Sequence, residues 1–229
     1  MLVLVIDLAI IAIVVFCGWR GYRNGLIRGA FGVVALVVSL FVANIAAAAY
    51  SEEFTGMLKP FIGGIVETTI TDMRDNSDKH KHEGLDNETE GFGTAYTALR
   101  QIGLPEPSAI RIAELTAADN DGGYIADLIG DKLSSALAFV AVFGIAFLLL
   151  AIVFAVIGNL VGFVFSLPGL RLVDAIAGVL LGLAKGLLIV YTIAVIIRYF
   201  GLLAPSTIEK TSVLSHLINN NPIADILGL

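Results

Sequence analysis

Residues 136–165 read ALAFVAVFGIAFLLLAIVFAVIGNLVGFVF, thirty positions without one Asp, Glu, Lys or Arg. About 20 mostly apolar residues in a helix cross the hydrocarbon core of a bilayer. This run is longer than that, so it tilts or its last turns follow the interface. Gly158-Asn159 marks the expected change of direction, and Pro168-Gly169 ends the helix. Three more runs share its character, at about 2–19, 26–50 and 173–199. The expected fold is an all-α integral membrane protein. Its four transmembrane helices form two hairpins, residues 1–50 and 136–200. A mostly helical extracytoplasmic insertion, residues 51–135, lies between helices 2 and 3, and residues 201–229 form an extracytoplasmic tail.

Composition agrees. Of 229 residues, 57% are hydrophobic and 15% charged, with a mean hydropathy of +0.89. Soluble domains carry nearer a quarter charged residues. The net charge of −6 originates in the middle, where Ser51–Ser135 holds sixteen Asp and Glu against seven Lys and Arg. Such acidity argues against a nucleic-acid partner, because binding a phosphate backbone needs clustered cations. The lone Cys17 forms no internal disulfide. No basic residue precedes the first run, and Phe16 is too large for a signal-cleavage site, so helix 1 is expected to be retained.

Basic short loops stay in the cytoplasm. Arg20, Arg23 and Arg28 surround the helix 1–2 connection, and Arg171 follows the helix 3–4 connection. Both tight turns are therefore expected inside, with the acidic insertion and both termini outside the cell membrane. Within the insertion, Phe54, Met57, Leu58, Phe61, Ile62, Ile65 and Val66 have helical spacing. They suggest an amphipathic helix on the membrane surface, broken at Pro60 or Gly63-Gly64. Asp72–Gly93 reads as a linker. Thr94–Gly103 is expected to form a short helix, and Ser108 to cap a helix over Ala109–Ala118. In the tail, Thr211 or Ser212 is expected to cap a helix that Asn219-Asn220-Asn221-Pro222 stops. That tail is placed to fold back onto the outer insertion.

Two glycine ladders stand out. Gly21, Gly25 and Gly29 surround the first turn, and Gly178, Gly182 and Gly186 lie on helix 4. Residues four apart share a helix face, and small ones let two backbones approach closely. Lys185 falls near the middle of helix 4, where a charge costs roughly 2.5–3.5 kcal/mol on insertion scales. Asp7, inside helix 1, is its candidate intramembrane partner. Arg28 and Asp174 fall at the cytoplasmic ends of their helices and either pair or face headgroups. Asn44 and Asn159 are candidates for interhelical hydrogen bonds. His80 and His82 lack the four ligands of a structural zinc site and read as solvated linker. No nucleophile, metal-protease or phosphate-loop motif occurs, so no catalytic residue, cofactor or metal is expected.

The landmarks in order resemble the colicin V production protein family, CvpA. They are Asp7, then Gly18-x-x-Gly21-Tyr22-Arg23-x-Gly25-x-x-Arg28, then Gly178-x-x-x-Gly182-x-x-Lys185-Gly186, then Ser212-x-Leu214 leading to Asn221-Pro222. Lys185 stands where the family more often has Arg, keeping the charge and losing the planar fork. The resemblance implies a multi-pass membrane protein of bacterial cells that supports colicin V (toxin) production or export and envelope function. The expected role is a non-enzymatic scaffold or accessory component, whose partners are the lipid bilayer and other membrane proteins or further copies of itself. The alternative is a small oligomeric channel or transporter, with Lys185 and the Gly178/Gly182/Gly186 face lining the path.

Overall fold

The computed structural model describes residues 2–77, 87–118, 124–164, 171–200 and 202–227. Every element among them is helical: α1 (Leu2–Ser77), α2 (Asn87–Ile102), α3 (Glu106–Ala118), α4 (Ile125–Val164), α5 (Arg171–Phe200), α6 (Pro205–Lys210), α7 (Ser212–Asn219) and α8 (Pro222–Leu227). Three of these, α1, α4 and α5, are long and apolar enough to cross a membrane.

α1 is not straight. Gly25 has φ 75° and ψ 179°, a left-handed conformation that glycine adopts without a steric penalty. Four residues before it, Gly21 lies against Gly178 and Gly182; four residues after it, Gly29 lies against Leu181 and Gly178. Both flanks meet the same level of α5, so the chain doubles back on one residue. The first arm, residues 2–24, runs antiparallel to α5, and the second arm, residues 26–77, runs parallel to it. The expected loop between helices 1 and 2 is thus reduced to Gly25. The Leu26 N–H, the first of the second arm, donates to Asp174 Oδ1 at 2.7 Å.

The second arm and α4 form a long antiparallel pair. Phe31 meets Gly158 at the turn end, and Gly63 meets Gly130 far from it. At about 1.5 Å per residue the second arm is about 78 Å long, well beyond the roughly 30 Å of a bilayer core. The expected break at Pro60 or Gly63-Gly64 is corrected: residues 51–71 continue the second arm as one helix. Pro60 sits on its exposed side, where the residue four positions back is Gly56. Gly63 is used for close approach to α4 rather than as a breaker. The expected change of direction at Gly158-Asn159 is corrected too. α4 is continuous to Val164, and Gly158 leaves room for the Phe31 ring, 3.0 Å from where a Cβ would stand.

Short helices pack around the far end of this stem. Val66, Leu99, Ile112, Ile129 and Leu133 are fully buried in one core with Val195, Tyr199 and Ile223 of α5 and the tail. The tail folds back, as its apolar spacing suggested. α2 is longer than expected, starting at Asn87. α3 starts two residues before Ser108: the Pro105 carbonyl accepts the N–H groups of Ser108 and Ala109, so Ser108 is inside the helix and not its cap.

Candidate functional site

At the turn end the two glycine ladders meet backbone to backbone. A Cβ on Gly21 would collide with the Gly178 carbonyl oxygen, one on Gly178 with that of Gly21, and one on Gly182 with that of Cys17. A Cβ on Gly186 would stand 3.0 Å from Val14 Cα. Gly25 is similarly confined by the Asp174 carboxylate. Only residues without side chains allow this approach, whose reward is dense van der Waals contact. The Gly178, Gly182 and Gly186 face is therefore occupied by the first arm, which removes it as the lining of a path.

The same contacts fix the register of helix 1 on α5 and correct the expected Asp7–Lys185 pair. Gly186 is level with Val14, so Asp7 lies about 10 Å further along. Its carboxylate instead accepts the N–H groups of Ser212 (3.0 Å), Val213 (3.2 Å) and Leu214 (3.4 Å). It caps α7 from another helix, satisfying amides that have no intrahelical partner and meeting the positive end of the helix dipole. Thr211 holds the N-cap position without a side-chain capping bond. Next to it, Asn221 Oδ1 accepts the N–H groups of Ile223 and Ala224, while its Nδ2 donates to the Tyr191 carbonyl of α5. Asp7, Ser212, Leu214 and Asn221 thus share one structural task, attaching the tail to the helix 1–α5 pair.

Lys185 points the other way, towards the second arm. Its Nζ lies 3.4 Å from where a Cβ of Gly32 would be. It joins Arg20, Asn24 and Arg28 around a cavity of about 150 Å³. Phe31, Leu36, Phe154 and Ala155 supply apolar wall. Ser39 also faces it but donates its hydroxyl proton to the Ala35 carbonyl. Arg28 and Asp174 do not form an ion pair, because the Asp174 carboxylate is taken up at Leu26. Arg23 lies outside the cavity, its guanidinium 5.6 Å from the centre of the Trp19 ring. Arg171 opens α5, but its side chain, like that of Asn159, lies outside the described residues, as do His80 and His82. Asn44 has no interhelical hydrogen bond among the described residues.

Sequence reasoning passed over Gly32, Asn24 and Arg198. Gly32 continues the face of Gly25 and Gly29 at helical spacing, which is the signal that would have exposed it. Arg198 is only 6% exposed, and its Nε donates to Ser108 Oγ at 2.6 Å. Its guanidinium also lies 5.4 Å from the Tyr199 ring centre. It joins α5 to α3, and no local pattern marks it.

No curated protein and no solved structure matches the chain. The model of the family described as colicin V production protein matches residues 6–72 and 115–222, which include both glycine ladders, Asp7, Lys185, Ser212, Leu214 and Asn221. With well over half its length matched, the chain belongs to the colicin V production protein family.

Proposed function

We propose that the protein is a non-enzymatic scaffold or accessory component of colicin V production or export in the cell membrane. In this reading the first arm, residues 26–50, residues 136–164 and α5 make four spans. The arginines around Gly25 hold the turns in the cytoplasm and leave both termini outside. The stem beyond residue 50 and its helical cap then project outward.

One observation carries the scaffold role. Phe54, Met57, Phe61 and Ile65 form an exposed stripe on the projecting stem, with Met57 69% and Phe61 72% exposed. They occupy one helix face, and in the four-span reading they lie beyond the bilayer core with no lipid to cover them. An apolar surface of this kind marks a protein contact. A photo-crosslinking residue placed at Met57 or Phe61 in native membranes should capture discrete protein adducts; the same residue at lipid-facing Leu149 should not. No adduct at either stem position, or the same adducts at Leu149, would count against the scaffold.

A second reading, a channel or transporter, draws support from the cavity beside Lys185. Its glycine lining is unavailable, so a path would have to run between α5, the second arm and α4. Ion or solute flux in liposomes that disappears with Lys185→Ala would favour it over the scaffold.

A further inference from the structure

Three cations share one cavity, and no carboxylate is among its described lining residues. Arg20, Arg28 and Lys185 all line it, and none forms an ion pair or hydrogen bond among the described residues. Residues 159–173 contain no Asp or Glu. Asp174 is nearby but is engaged with the Leu26 N–H and is not part of the lining. Like charges gathered around one cavity repel unless an anion joins them. An arrangement held this way by an interlocked backbone is prepared for an anion.

Shape narrows the class. Gly32 faces Lys185 and Arg28 is four residues back towards the chain reversal, so Lys185 lies about 6 Å deeper than Arg28; Arg20, beside Gly21, sits at a similar level to Arg28. Guanidinium groups match the oxygens of a phosphate as a planar fork, and an ammonium adds a compact charge. Asn24 contributes an amide donor. The apolar wall of Phe31, Leu36 and Phe154 suits the stem that carries such a group. We propose that the cavity binds a phosphate-type oxyanion, with Arg20 and Arg28 gripping it at the mouth and Lys185 drawing it inward. The anion is carried on a lipid headgroup or arrives free. The site rests on the four-span reading only for its place at the inner membrane face.

Detergent-purified protein tests this without reference to orientation or to the scaffold role. One arm offers phosphatidylglycerol or phosphatidylcholine and counts retained lipid by native mass spectrometry. The other offers radiolabelled inorganic phosphate in equilibrium dialysis. One equivalent of phosphatidylglycerol held in preference to phosphatidylcholine assigns the headgroup; one equivalent of inorganic phosphate without that preference assigns the free ion. In the arm that binds, Arg28→Gln and Lys185→Met should each weaken retention about ten-fold, the loss of one charge-assisted contact. Lys185→Arg should restore it, and Arg23→Gln should leave it unchanged. Arg28 is partly exposed, so its variant carries the test if Lys185→Met fails to fold. Retention of neither probe, or equal weakening by Arg23→Gln and Arg28→Gln, overturns the proposal.

Discussion

The helix 1–α5 pair is built differently at its two ends. At the turn end, contact is made by absence: Gly21, Gly178 and Gly182 remove side chains until carbonyl groups touch the opposite backbone. At the far end, contact is made by addition: Asp7, Asn221 and Arg198 each reach across to a named donor or acceptor on another element. A carboxylate caps a helix start at both ends, Asp174 at Leu26 and Asp7 at Ser212. At the turn end, three cations around one cavity have no ion-pair partner among the described residues. The contrast teaches that one helix pair is joined by two different means along its length. Glycines set the spacing, the far end spends its polar groups on attachment, and the turn end keeps three charges unspent.

Substitutions should break the two ends unequally. The largest effect is expected from Gly178→Val, because a branched side chain meets the Gly21 carbonyl with no room to relax. A loss of about 3 kcal/mol or more, above the usual range for overpacking, should appear as failure to accumulate folded protein or as collapse of the thermal transition in detergent. Arg198→Met should cost about 1.5–3 kcal/mol, the value of a hydrogen bond to a charged group, and should raise hydrogen exchange in α3. Asp7→Ala should cost about 1 kcal/mol and selectively expose α7 to exchange or proteolysis. Asp7→Asn should cost only a few tenths, since Asn caps nearly as well. Combined with Lys185→Met it should be additive; coupling between the two would restore the ion pair that the register excludes. Among the truncations, the smallest effect is expected from Lys59→Ala. Its 2.8 Å pair with Asp131 joins the second arm to α4 on a solvated surface, where such pairs give about 1 kcal/mol or less.

Much of this could be read in the chain before any coordinates. Long apolar runs gave the helices, glycine spacing gave the faces that meet, and Asn219–Pro222 gave the break in the tail. The unread part depended on level and partnership. Asp7 and Lys185 are both charges in apolar runs, and pattern alone suggested pairing them. Their separation along the helix is set by which glycine faces which carbonyl, information that no single run contains. Pro60 and Gly63 are local breakers, yet the second arm passes through both because α4 packs alongside. Tertiary contact overrode propensity there. The cavity was invisible for a similar reason. Arg20, Arg28 and Lys185 lie on three different helical segments, and only the reversal at Gly25 brings them together.

The Asp7 cap has a consequence for assembly. Its acceptor atoms and donor amides are separated by 205 positions in sequence. During synthesis the first arm emerges early, and its carboxylate finds α7 only after all the other long helices exist. Until then a charged group waits at the edge of an apolar segment without the amides that will quiet it. Closure of this contact is therefore a late event, and a chain cut before Ser212 keeps the defect permanently.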